Sequence, residues 1–223
     1  MAEVWEDLQC AGFGIYRDTE GFSYGHDAVL LANFVRATRN DHVLDLGAGT
    51  GIVSFLVHAK TGAGICAADI SERCCRLMEK SVAKNGLSKA IKVYEADLRL
   101  LPDARLPWES FDCICCNPPY FSGGTESPNS VRQQSAHQTS CTISEVAACA
   151  RRMLKNGGRL FACYPVLGLS RFCAALEAEM LAVKRICFVR SKCGKAPYLF
   201  LAEAKKGGKS GLVFEADIIL EES

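Results

Sequence analysis

Long apolar runs are missing from this 223-residue chain. Nowhere do about 18 consecutive apolar residues occur, which excludes a membrane-spanning helix. No export leader is expected either, because the opening stretch Met1-Ala2-Glu3-Val4-Trp5-Glu6-Asp7 is acidic where a leader is basic. The expected location is therefore cytoplasmic. There is no internal repeat, no low-complexity tract and no bias to one sign of charge, with 26 Lys and Arg against 25 Asp and Glu. That balance gives no whole-molecule attraction for phosphate, but it hides a split. Residues 1–140 hold 13 basic and 17 acidic side chains and residues 141–223 hold 13 and 8. A basic C-terminal half suits a phosphate-facing surface, and equally a solvated charged face.

Apolar residues, at 49%, are plentiful, and so is cysteine, with 13. One sizeable core is within reach. Separated C-x2-C pairs are absent: Cys74-Cys75 and Cys115-Cys116 are adjacent, so no closed zinc site and no bound metal are expected. Without an export signal the thiols are expected to be reduced, and Cys113 and Cys115, beside Phe111 and Ile114, to act as small hydrophobes.

From residue 41 onward strand-like and helix-like runs alternate, the pattern of a mostly parallel sheet with helices on both faces. Strands are expected over 42–45, 64–69, 91–95, 111–116, 159–163, 183–189 and 198–204, seven in all. Ser71 is placed to cap a helix that Asn85-Gly86 stops, and Thr142-Ile143-Ser144-Glu145 reads as a capping box. Gly157-Gly158 is expected to end that second helix, a further amphipathic helix spans 169–180, and 212–220 reads as an edge segment. The chain divides into an N-terminal cap (1–40), a core (41–204) and a C-terminal edge extension (205–223), all in one domain.

Asp45-Leu46-Gly47-Ala48-Gly49-Thr50-Gly51 follows a strand and opens a helix, where Gly47, Gly49 and Gly51 let a ligand approach the backbone. It is not the dinucleotide fingerprint, since Ile52 stands where the third glycine of G-x-G-x-x-G belongs. Asp69 ends the next strand, where a carboxylate can hold both hydroxyls of a ribose, and Asp97 occupies the matching place after the third strand. Asn117-Pro118-Pro119-Tyr120 follows the fourth strand. Two prolines stiffen the turn, so the asparagine oxygen and a main-chain carbonyl converge as acceptors on one spot, as a planar NH2 group requires. Such a nitrogen is a poor nucleophile because its lone pair is delocalised, and accepting its hydrogens directs that pair toward an electrophile. Tyr120 offers a ring for a flat base. The long polar loop after it, 121–141, reads as a substrate-binding segment, with Phe121, Arg132 and His137 as its candidate contacts and Arg132 suited to a phosphate. Upstream, Asp27 is placed to cap a helix that begins after a glycine turn.

The glycine turn preceded by an acid resembles motif I of class I methyltransferases. Together with the 22–35 segment, the Asn117-to-Phe121 stretch and the Arg132/His137 loop, it makes nearly the whole chain resemble the bacterial tRNA1(Val) adenine-37 N6-methyltransferase family. The resemblance implies a single Rossmann-like domain, S-adenosylmethionine as methyl donor, and an adenine beside a tRNA anticodon as target. It implies that Asp97 and the backbone of Leu98 read the cofactor adenine, that Asp45, Asp69 and Ile70 belong to the cofactor site, and that Tyr24 and Asp27 pack over its methionine end. Asn117 then serves both cofactor and acceptor. In one respect the chain departs from the pattern: loop 191–197 lacks a His-Pro-Arg run.

The tetrapeptide alone leaves three other acceptors open. An N5-glutamine methyltransferase of release factors presents an amide to the same motif, but only about 40 residues precede Asp45, too few for the helical domain such enzymes carry. A guanine-N2 RNA methyltransferase more often has Phe in place of Tyr120. A cofactor-binding RNA adaptor without catalysis would have no use for the intact tetrapeptide.

Overall fold

The computed structural model describes residues 3–18, 26–118 and 141–221. Apolar strands and amphipathic helices alternate through most of this length: α1 (His26–Phe34), β3 (His42–Leu46), α2 (Ile52–Thr61), β4 (Gly64–Asp69), α3 (Glu72–Lys84), β5 (Ile91–Glu95), β6 (Phe111–Cys116), α4 (Ile143–Met153), β7 (Leu154–Pro165), α5 (Leu169–Ala178), β8 (Leu181–Lys192) and β9 (Leu199–Lys206). All seven expected strands are present. They lie in the order β8-β9-β7-β6-β3-β4-β5, and β9 alone runs antiparallel to its neighbours. Two short strands, β10 (Val213–Phe214) and β11 (Ile218–Glu221), add to the free edge of β8.

Pleat alternation divides the core in two. Val43, Cys113, Cys115, Phe161, Cys163 and Leu201 face the side covered by α1, α2 and α3, while Leu44, Ile114, Cys116, Leu160, Ala162 and Phe200 face α4 and α5. The cysteines of β6 are at most 1% exposed and pack as hydrophobes. The caps form as their residues dictate. Ser71 Oγ accepts from the Cys74 amide at 3.3 Å, and Thr142 and Glu145 make both bonds of a capping box.

Three features depart from the sequence reading. First, α4 stops at Met153 and not at the Gly157-Gly158 pair, because fully buried Leu154 already belongs to β7; the two glycines lie inside that strand. Second, the N-terminal segment contains an antiparallel hairpin, β1 (Glu3–Cys10) and β2 (Phe13–Asp18), that docks on α3. Its fastenings are specific: the Tyr16 amide donates to Ser81 Oγ at 2.8 Å, Asn85 Nδ2 donates to the Gly14 carbonyl at 2.7 Å, Lys84 Nζ sits 3.8 Å from the Trp5 ring centroid, and Arg73 grips Asp18 with two hydrogen bonds. Third, Asp27 lies inside the first turn of α1, two residues beyond the position a cap would take. Among the described residues no helix is long and apolar enough to cross a membrane.

Candidate cofactor and acceptor site

Strand register brings the chemistry to one edge. Leu46 pairs with Ala68 and with Cys116, and Asp69 pairs with Glu95, so the residues just beyond β3, β4, β5 and β6 share the carboxyl end of the sheet. Strand order also reverses about β3, which opens a crevice at that end.

After β3 the chain turns back on β4. The Gly47 and Ala48 amides donate to the Ala68 carbonyl at 2.9 and 3.1 Å. Gly49, with φ +56°, turns its amide onto Asp69 Oδ2 at 2.8 Å, and the Ser71 amide donates to Asp69 Oδ1 at 2.8 Å. Each Asp69 oxygen thus accepts one backbone hydrogen and has capacity for a second. A Cβ built on Gly47 or Gly49 would meet nothing within 4 Å, so the turn borders open space. Gly51 is different. At φ +94° its Cβ would come within 2.9 Å of Met78 Cγ, so here glycine lets the turn approach the Met78 side chain of α3.

Asp45 lies behind the turn, 2% exposed, and accepts from Ser54 Oγ at 2.6 Å. Burial pushes its carboxyl up to about 7, against the lowering effect of the Ser54 bonds, and the Asp69 charge adds to the rise. Its geometry suits support of the turn from beneath. Asp97 follows β5 and accepts from the Arg99 amide at 2.9 Å, capping a short 3-10 turn at Leu98–Leu100. The Arg99 guanidinium, bonded to the same carboxylate, holds Asp97 below its ordinary pKa. Any further donor at Asp97 shares it with Arg99. Ile70 is 36% exposed beside Asp69.

Asn117 directly follows β6, and its Oδ1 accepts from the Cys163 thiol at 3.0 Å; Pro118 is buried. Tyr198, 42% exposed before β9, is tied to neighbouring segments through its carbonyl, which accepts from the Val166 amide, and its amide, which donates to the Val189 carbonyl. Burial raises the Tyr198 hydroxyl pKa, and Asp27 and Cys163 raise it further; α1 also packs against β7 and β9. Sequence reasoning missed Ser54, Arg99, Cys163 and Tyr198; strand register reveals Cys163 as the neighbour of Asn117. Tyr24, Pro119, Tyr120, Phe121, Arg132 and His137 lie outside the described residues.

The basic C-terminal half proves partly neutralised, half of it by carboxylates of residues 1–140. Among the described residues six of its 13 cations, Lys155, Arg159, Arg185, Arg190, Lys192 and Lys206, stand in ion pairs with carboxylates. The free cationic surface is smaller than composition suggests. Among the described residues no group of three or more His, Cys, Asp or Glu is arranged to hold a metal ion.

Residues 24–167 match the sequence model of the family described as "Methyltransferase small domain". A Shewanella loihica protein named tRNA1(Val) (adenine(37)-N6)-methyltransferase is 28% identical over 202 residues, 88% of this chain and 83% of that one. A Parabacteroides distasonis protein of the same name is 27% identical over 154 residues, 69% of this chain; the match spans just under two thirds of that relative, 64%. Among solved structures, a predicted O-methyltransferase from Agrobacterium tumefaciens superposes with TM-score 0.72 at 25% identity, covering 88% of both chains. Geranyl diphosphate C-methyltransferase from Streptomyces coelicolor, solved with S-adenosyl-L-homocysteine, shares the fold at TM-score 0.58 and 12% identity, over 80% of this chain and 76% of that one.

Proposed function

The chain belongs to the methyltransferase small domain family and uses S-adenosylmethionine, and from that premise we propose that it methylates the exocyclic N6 of an adenine in tRNA. The printed names of the relatives support adenine 37 of tRNA1(Val) as the finer target, and a cytoplasmic location follows from such a substrate. The observation that carries the reading is Asn117, an amide acceptor at the carboxyl end of β6, next to the glycine turn of β3 by register.

The open space at Gly47 and Gly49, bordered by Asp69, fits a nucleoside-bearing cofactor. Asp69 accepts the ribose hydroxyls with its remaining lone pairs, Ile70 and Leu98 flank the cofactor base, and Asp97 accepts from the amino group of that base. Asp45 reaches the site through the turn it supports. The donor supplies a methyl already activated on a positively charged sulfonium. Asn117 Oδ1 and the Pro118 carbonyl accept the two hydrogens of the target amine, which turns its lone pair out of conjugation and toward the methyl. Tyr120 stacks on the base, while Phe121, Arg132 and His137 belong to the RNA-binding loop. Tyr24 and Asp27 close the methionine end. No strong base is required, because the methylated nitrogen is acidic enough to shed its proton afterward; orientation supplies most of the rate.

The test is to incubate the protein with isotopically labelled donor, total tRNA and a release factor, then to identify the labelled product by mass spectrometry. N6-methyladenosine in tRNA supports the reading. Label on glutamine or on guanine N2 replaces it with one of the two rival acceptors, which the same Asn117 geometry would serve.

A further inference from the structure

Cys163 occupies a singular place relative to Asn117. Cys113 and Cys115 of β6 share a face of the sheet with Phe161 and Cys163 of β7, and Cys116 is in register with Ala162. One step further, Asn117 must therefore stand beside Cys163 on that same face. The side chains meet: the Cys163 thiol, 0% exposed, donates to Asn117 Oδ1 across 3.0 Å.

An asparagine amide has two nearly isosteric ends with opposite hydrogen-bonding character. With Oδ1 toward the acceptor it accepts an amine hydrogen; flipped, its NH2 would confront another NH2, donor against donor. A thiol hydrogen donated to Oδ1 opposes that flip. We propose that Cys163 is a positioning residue that sets which end of the Asn117 amide faces the target amine. The inference rests on the reading of Asn117 as acceptor of amine hydrogens, and it assigns a task to one of the 13 cysteines that composition leaves indistinguishable.

The thiol acts through Asn117 and touches neither donor nor base, so its signature is in turnover and not in binding. Cys163→Ala should lower kcat on tRNA about tenfold, with KM for tRNA and the calorimetric Kd of S-adenosylmethionine within about twofold of wild type. Cys163→Ser, which keeps a donor, should recover most of that loss. A second readout needs no substrate. The side-chain 15N resonance of Asn117, assigned by its loss in Asn117→Ala, should move in Cys163→Ala and return toward its original position in Cys163→Ser. If the alanine variant fails to fold, Cys163→Val, which fills the space without a donor, replaces it. Unchanged kcat without the thiol, a serine variant as slow as alanine, or an unmoved amide resonance would each overturn the proposal. Should wild type methylate no RNA, the proposed function fails and the amide resonance alone decides the positioning role.

Discussion

Among single residues, Asp45 carries a consequence that can be measured without substrate. A carboxyl buried to 2% exposure with one hydroxyl partner favours its neutral form, and its pKa of about 7 lies well above the 3.8 of an exposed aspartate. Between those values the folded chain holds a proton that the unfolded chain has released. The contribution of Asp45 to stability is therefore fully present below about pH 4, declines as pH rises toward 7, and is flat above. Asp18, Asp97 and Asp112, held below their ordinary pKa, act in the opposite sense, so the wild-type profile mixes both. Subtracting the Asp45→Asn profile isolates the term: the melting temperature of the variant relative to wild type should rise between pH 4 and 7. A constant difference across that range would remove the buried-acid account. Gly51 gives a second prediction. At φ +94°, with Met78 2.9 Å from a built Cβ, Gly51→Ala should cost about 1–3 kcal/mol in denaturant unfolding and weaken donor binding. A neutral outcome would mean that the Met78 side chain yields easily.

At the scale of elements, what sequence could and could not reveal follows from the range of the interactions. The seven strands and the caps at Ser71 and Thr142 are local matters of period and side-chain chemistry, and they were legible. The hairpin β1–β2 was not, because its turn carries Ala11-Gly12 and none of the strong two-residue signals, and because its stability comes from α3, some 65 to 71 residues away. The start of β7 was misjudged for a similar reason: the Gly157-Gly158 pair is a strong local stop, but burial of Leu154 in the sheet takes precedence. At the site, the Asp45-to-Gly51 turn, Asp69 and Asn117 announce themselves by type and spacing. Cys163 depends on register between strands nearly 50 residues apart, which no local pattern encodes.

For the whole molecule, Arg185 ties three parts together. Only 9% exposed, it pairs with Glu203 of β9 at 2.5 Å and with Glu215 beside β10 at 2.6 Å, and its guanidinium lies 4.2 Å from the Phe34 ring of α1. Arg185→Met strands Glu203 in a poorly hydrated site and should cost about 3–5 kcal/mol. Arg185→Met with Glu203→Gln should recover part of that, by chemical denaturation; equal loss in single and double variants would assign the cost to packing alone. The partial neutralisation of the C-terminal half bears on RNA binding. With six of 13 cations already paired, tRNA affinity should still fall as salt rises, with a log–log slope shallower than 13 phosphate contacts would give. A salt-independent affinity, measured by filter binding, would exclude a phosphate-facing surface.

The most direct measurement of the central claim compares wild type with Asn117→Ala on two quantities in parallel: the calorimetric Kd for S-adenosylmethionine and the single-turnover rate of methyl transfer to tRNA. Removing the amide should leave the Kd within about threefold and lower the rate by about 100-fold or more, since orientation of the amine is what the residue contributes. Unaltered turnover by the folded variant would contradict the role given to Asn117.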